Sequence, residues 1–261
     1  RDIGVVPGDR VAGYLPNIPE TIVAMLAATS LGAAWSSCSP DFGVTGVLDR
    51  LGQIEPKVVF SGDGYLYNGK HHDSLAKIAD ITAQLPSVEA VVIVPYGDGG
   101  VPDIATVIAS FPGAVLLDDF VAGFKPGDMD FVSLPFDHPL YILFTSGTTG
   151  APKGVVRHTG GHLVALHWSM KNIYDVDPGD RFWAASDVGW VVGHSYICYA
   201  PLIYGATTLV FEGKPVGTPD AGTFWRVISE HRVKSFFTAP TAFRAVKRED
   251  PAGEFVAKYD L

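Results

Sequence analysis

Residues 141–154 read Tyr-Ile-Leu-Phe-Thr-Ser-Gly-Thr-Thr-Gly-Ala-Pro-Lys-Gly. The apolar run Tyr141–Phe144 predicts a short buried strand, and the ten residues after it supply the devices with which proteins hold a polyphosphate. Gly147, Gly150 and Gly154 let backbone N–H groups approach an anion with no Cβ in the way. Thr145, Ser146, Thr148 and Thr149 add hydroxyl donors, and Lys153 adds a point charge. A nucleotide phosphate is the ligand this chemistry suits.

The spacing excludes two other phosphate loops. A Walker A loop needs Gly-Lys-Ser/Thr after its four intervening residues, whereas Gly150 is followed by Ala151, Pro152 and Lys153, with Gly154 where a magnesium-binding hydroxyl would stand. The Gly-x-Gly-x-x-Gly turn of dinucleotide binders has no use for the lysine or the hydroxyls. Ser146 lies in Thr-Ser-Gly rather than Gly-x-Ser-x-Gly, so it is not read as a hydrolase nucleophile.

Outward from the loop, strands and helices alternate, predicting an α/β fold of layered, mostly parallel sheets with flanking helices. Strands are expected at 11–15, 58–60, 90–94, 115–117, 182–185, 207–211 and 235–238. Asn17 and Glu20, three apart, predict a capping box opening a helix that ends at Gly32. Further helices are expected at 72–84, 161–174, 194–204 and 223–231, the second of these with Leu163, Leu166, Met170 and Ile173 as its core stripe. Residues 97–100 read as a turn. The Gly-, Pro- and Asp-rich stretch 122–139 predicts a linker between an N-terminal α/β subdomain, 1–121, and a phosphate-loop subdomain, 140–261.

Composition narrows the class. The chain has 261 residues, 47% of them hydrophobic, enough for a substantial core. A net charge of −9 argues against a nucleic-acid surface, and no run of eighteen apolar residues suggests a membrane span. Cys38 and Cys198, far apart, read as free buried thiols of a reducing compartment. His158, His162 and His167 have no acidic or cysteine partner to complete a metal set; His71 and His72 read as a solvated pair in a loop. Lys247-Arg248-Glu249-Asp250 reads as a solvated helix end.

The loop resembles that of the acyl-CoA synthetases of the adenylate-forming superfamily, Thr-Ser-Gly-(Ser/Thr)-Thr-Gly-x-Pro-Lys-Gly. Ser186-Asp-Val-Gly-Trp-Val-Val-Gly-His-Ser-Tyr196 is similar to the acyl-pocket segment of acetyl- and propionyl-CoA synthetases. Phe211-Glu-Gly-Lys-Pro215 and Thr238-Ala-Pro-Thr-Ala-Phe-Arg-Ala245 resemble the next blocks of propionyl-CoA synthetases, a likeness that holds from about residue 138 onward. In the first hundred residues Ser39-Pro-Asp-Phe-Gly-Val44 and Gly46-Val-Leu-Asp-Arg50 look more like an acetoacetyl-CoA synthetase.

The resemblance implies an AMP-forming acid–thiol ligase: carboxylate and ATP give acyl-AMP and pyrophosphate, then CoA takes the acyl group as a thioester. It implies phosphate contacts from Thr145, Ser146, Gly147, Thr148, Thr149, Gly150 and Lys153, with Lys153 and Trp190 as the groups nearest the chemistry and Thr149 as the hydroxyl for the Mg²⁺ that accompanies ATP. Trp190, Val191, Val192 and Gly193, with Thr238, Ala239 and Pro240, would form the acyl pocket, the last three near the CoA channel. Acetyl-CoA synthetases carry Thr at the place of Val192, so the apolar side chain favours propionate, with acetate tolerated; acetoacetate is the alternative acid. The other class left open is a truncated nucleotide- or pyrophosphate-binding module without turnover. The chain is expected to be a piece of a large N-terminal domain, its adenine site, C-terminal lid and adenylation lysine lying beyond Leu261. The expected setting is the cytoplasm, or the mitochondrial matrix in a eukaryote.

Overall fold

The sheet that carries the loop is built from runs that read as strands for different reasons. The computed structural model describes residues 2–67, 70–96, 104–109, 111, 113–145 and 150–261. The strands are β1 (Arg10–Tyr14), β2 (Ala34–Ser37), β3 (Val58–Gly62), β4 (Gly64–Tyr67), β5 (Lys70–Asp73), β6 (Ala90–Val94), β7 (Ala114–Leu116), β8 (Pro139–Phe144), β9 (Gly154–His158), β10 (Arg181–Ala185), β11 (Thr207–Thr208) and β12 (Ser235–Thr238). The α-helices are α1 (Pro19–Ser30), α2 (Val44–Ile54), α3 (Leu75–Thr82), α4 (Ile104–Ala109), α5 (Leu117–Val121), α6 (Thr159–Asn172), α7 (Ala200–Tyr204), α8 (Thr223–Glu230) and α9 (Pro240–Glu249), and Gly193–Tyr199 forms a π-helical turn.

Two compact units divide the described chain: one of residues 1–65 and 71–162, the other of residues 66–70 and 163–261. In the first unit the sheet order is β7-β6-β3-β1-β2-β8-β9, parallel except for the antiparallel last pair. β6, Ala-Val-Val-Ile-Val, is an unbroken β-branched run buried on both faces, as interior parallel strands require. On one face Val47, Leu51 and Ile54 of α2 and Leu75, Ile78 and Ile81 of α3 present apolar stripes at helical spacing to a core that includes Tyr14, Val59 and Ile93. The second unit holds a parallel sheet of order β11-β10-β12. Trp183, Phe224, Val227 and Val246 form its principal core cluster.

Several expectations are corrected. Helix α1 starts one residue later than the Asn17–Glu20 pair implies: Ile18 is the N-cap and Pro19 occupies the first turn, where its missing N–H costs nothing. His71 and His72 lie in β5, not a loop, with His72 stacked on Tyr65 at 5.1 Å between ring centroids, and the next helix begins only at Leu75. The strand at 207–211 is cut to Thr207–Thr208, and the helix at 194–204 is a π turn followed by α7. Of the α6 stripe Leu166 and Met170 are buried, whereas Ile173 lies past the helix end and is exposed. The stretch 122–139 is largely irregular, yet the first unit continues through it, because β8 pairs with β2 and β9 with β8; the division falls at His162/Leu163 rather than near 140. The turn at 97–100 lies outside the described residues.

Candidate functional site

Strands β8 and β9 form the hairpin whose connection is the phosphate loop. Phe144 pairs with Gly154, and one step further the Thr145 N–H donates to the Lys153 carbonyl at 3.0 Å, closing the loop's base. Gly150 has φ +154°, a conformation that side chains with a Cβ rarely adopt. The Pro152 carbonyl accepts from Gln53 Nε2 at 2.9 Å, so the loop's second arm is tied to α2. Lys153 is exposed, and so are all five residues of β9. Ser146, Gly147, Thr148 and Thr149 lie outside the described residues, and with them the hydroxyl expected to meet Mg²⁺. Among the described residues no group of three or more His, Cys, Asp or Glu side chains is placed to hold a metal ion.

Behind the hairpin, Tyr141 is fully buried, and its hydroxyl lies 2.5 Å from His162 Nε2, the rings meeting edge to face. Burial, with Arg157 as the lesser cause, pushes the His162 pKa down to about 4. Neutral His162 and the phenol then share a hydrogen bond whose direction follows the imidazole tautomer. Sequence reasoning considered this histidine only as a metal ligand. The missed signal was the single polar-tipped residue in the run Tyr141–Phe144.

In the second unit the acyl-type segment leaves the carboxyl end of β10, where open parallel sheets place their ligands. Asp187 organises the turn: its carboxylate accepts from the Gly189 N–H at 2.6 Å and its carbonyl from the Trp190 N–H at 3.1 Å. Trp190 and Val191 come out 41% and 46% exposed, unlike the core residues that Trp-Val-Val would ordinarily be, and Val192 is half-buried. Gly193 is buried, and a Cβ there would run into the Asp187 carbonyl oxygen and Val188 Cα, so only glycine lets the chain fold back this tightly. His194, wholly buried, points Nδ1 at the Trp190 carbonyl at 3.1 Å. A carbonyl can only accept, which places the proton on Nδ1. Burial holds the pKa down at about 4 against the opposing pull of that bond.

The neighbouring strand ends at the same level. Ala185 is in register with Thr238, and Thr238 Oγ1 donates to the Ala185 carbonyl at 3.0 Å. Ala239 is the extended N-cap of α9 and Pro240 its first residue, both exposed. The structure thus brings Trp190–Gly193 and Thr238–Pro240 to one end of one sheet. Below them Tyr174, Phe182, Tyr196 and Phe237 pack ring against ring with centroids 5.1–6.4 Å apart. Cys38 and Cys198 are free and buried, as expected, and burial raises the Cys198 pKa to about 12. The Lys247–Asp250 run closes α9, where Lys247 Nζ donates to the Pro251 carbonyl at 2.6 Å.

A family model described as AMP-binding enzyme matches residues 1–261. The chain is 41% identical over 270 residues to the human acyl-CoA synthetase short-chain family member 3, mitochondrial, an alignment covering 99% of the chain and 37% of that protein. It is 39% identical over 260 residues to the zebrafish (Danio rerio) acetoacetyl-CoA synthetase, covering 96% and 37%. Among solved structures, acetoacetyl-CoA synthetase from Streptomyces lividans superposes with a TM-score of 0.84 at 36% identity, covering the whole chain and 38% of that protein. The chain therefore spans well under half the length of these relatives. No helix among the described residues is long and apolar enough to cross a membrane.

Proposed function

Because this chain belongs to the family of AMP-binding enzymes, we propose that it carries the phosphate-binding and acyl-recognition parts of an AMP-forming short-chain acyl-CoA synthetase. The carrying observation is the loop's build: a hairpin closed by Thr145 and Lys153, with Gly150 in a glycine-type conformation and a free-standing ammonium at its exit. A carboxylate is a poor electrophile until its oxygen is joined to the α-phosphorus of ATP. The protein's share of that step is electrostatic: loop amides, hydroxyls and Lys153 offset the negative charge that gathers on the departing pyrophosphate. Mg²⁺, a hard cation, would sit on the phosphate oxygens with Thr149 and neutralise them. CoA sulfur then attacks the acyl carbon and AMP leaves, Thr238–Pro240 lining the approach.

Trp190 stands beside the carboxylate in this reading, and Val191 and Val192 line the aliphatic end. Two valine side chains offer no hydrogen bond to a keto oxygen, so propionate is the preferred acid, acetate is tolerated and acetoacetate is disfavoured. A second reading, acetoacetate as substrate, draws support from the acetoacetyl-CoA synthetases of zebrafish and Streptomyces among the similar proteins. The expected compartment is the cytoplasm, or the mitochondrion, as the human relative's name has it. In the isolated 261-residue chain, thioester formation is expected to be negligible. The test is acid-dependent release of pyrophosphate from ATP by the protein in its natural full length, with propionate, acetate and acetoacetate in competition. Propionate is expected to win; a clear acetoacetate preference overturns the pocket assignment, and no acid-dependent release overturns the ligase.

A further inference from the structure

We propose that Tyr141 and His162 are positioning residues that lock the register of the β8–β9 hairpin and so decide on which face of it Lys153 stands. The proposal rests on the phosphate-loop reading above. Its ground is a break in the ladder: Pro139 pairs with His158, but the next paired residue of β8, Tyr141, opposes Arg157, leaving Leu140 as an extra residue. Such a bulge re-aims every side chain beyond it. From Tyr141 onward the register is unbroken through Ile142–Val156, Leu143–Val155 and Phe144–Gly154 to the Thr145–Lys153 bond at the loop base.

Alternation along that ladder puts Tyr141, Leu143 and Thr145 on one face with Arg157, Val155 and Lys153. The other face carries Ile142 and Phe144, both packed on the core, and it is Ile142 and Phe144 that a Cβ on Gly154 would touch. Had β8 carried on in the register of Pro139–His158, Thr145 would oppose Pro152 and Lys153 would turn toward the core face. A slip of one residue exchanges the faces. Two registers thus compete, and the residue at the switch is the one with fixed partners on three sides. Tyr141 pairs with Trp35 of β2, opposes Arg157 of β9, and shares a hydrogen bond through its hydroxyl with His162 of α6. Since α6 follows β9 directly, the bond ties the start of one strand of the hairpin to the helix that continues the other, both at its open end. The start of α6 is itself anchored: Thr159 donates twice, through N–H and Oγ1, to the His138 carbonyl, each at 2.8 Å.

The test compares Tyr141→Phe, His162→Leu, His162→Gln and Lys153→Ala in the natural full-length protein, reading ATP affinity by calorimetry and amide exchange at Val155 and Arg157, whose N–H groups face β8. Loss of the one hydrogen bond in Tyr141→Phe or His162→Leu is expected to raise the ATP Kd about five- to tenfold and to speed exchange at both amides. His162→Gln, whose side-chain carbonyl can still accept the phenol proton, is expected to restore both. Unchanged affinity and exchange in Tyr141→Phe, a variant too conservative to unfold, overturns the register lock, as does failure of His162→Gln to differ from His162→Leu. Should Lys153→Ala bind ATP normally while Tyr141→Phe still speeds exchange, the lock stands and the phosphate-site reading falls.

Discussion

The loop of the first unit and the acyl-type segment of the second are both turns at the end of a buried strand, yet they are held in opposite ways. The loop hangs from a hairpin of one buried and one exposed strand, fixed by backbone bonds and one glutamine brace, with Lys153 exposed. The acyl-type segment is folded into its unit: Gly193 and His194 are buried, and Asp187 accepts from the N–H groups of Gly189 and Trp190. A site that grips a hydrated, flexible polyphosphate can be built from repeated small donors within one short loop. One that must feel a single methylene needs walls that do not yield.

That contrast is open to attack at each end. The largest effect is expected from Lys153→Ala, which removes a charged donor from the proposed phosphate site: adenylation should slow about a hundredfold with the melting temperature unmoved, since the side chain is exposed. A large drop in Tm would erase the distinction drawn here. Gly193→Ala should do the reverse and act on stability first. Its Cβ meets backbone rather than a pliable side chain, so a loss of about 3 kcal/mol or roughly 6–12 °C in Tm is expected, measured by thermal unfolding.

Acid should also act on the packed segment. His194 is neutral in the fold with a pKa of about 4 against the ordinary 6.5, and His162 in the first unit is shifted likewise. The unfolded chain therefore binds protons that the folded one refuses. Stability is complete above about pH 6.5 and declines as pH falls from there toward 4, the folded-state value. His194→Gln should flatten part of that decline in Tm; an unchanged slope would falsify the assignment of His194 as a buried neutral group. The smallest effect is expected from Val192→Thr. One hydroxyl in place of a methyl should shift the propionate-to-acetate ratio of kcat/KM toward acetate by about fivefold, near 1 kcal/mol, with no change in ATP affinity.

What the amino-acid order disclosed differs between the two regions for physical reasons. The family was legible in residues 145–154 because the loop's chemistry is local: glycines, hydroxyls and a lysine within ten residues carry the argument wherever the chain goes. So was β6, whose β-branched run leaves no alternative. Strand β9 was not, because Gly154–His158 is exposed along its whole length and shows no alternation to read. Helix α2 was missed since Gly46 and Gly52 dilute its helical signal, although Val47, Leu51 and Ile54 sit on its buried face. The domain boundary near 140 followed from composition, which cannot know that β8 will return to pair with β2. The Asp187–Gly189 turn and the Tyr141–His162 bond depend on folded geometry: a tyrosine in an otherwise apolar run hints at a polar partner, but the residue order does not say that the partner is His162.

The π-helical turn after Gly193 has a consequence for how acyl preference could change. A π turn takes up about one residue more than an α turn does. Removing a residue between Gly193 and Tyr199 would let the stretch relax into an ordinary helix, swinging Trp190, Val191 and Val192 by about 100° about the helix axis while leaving the strands beneath untouched. On the proposed pocket assignment, chain length at this one spot, rather than a change of side chain, would then be a dial on the acid admitted.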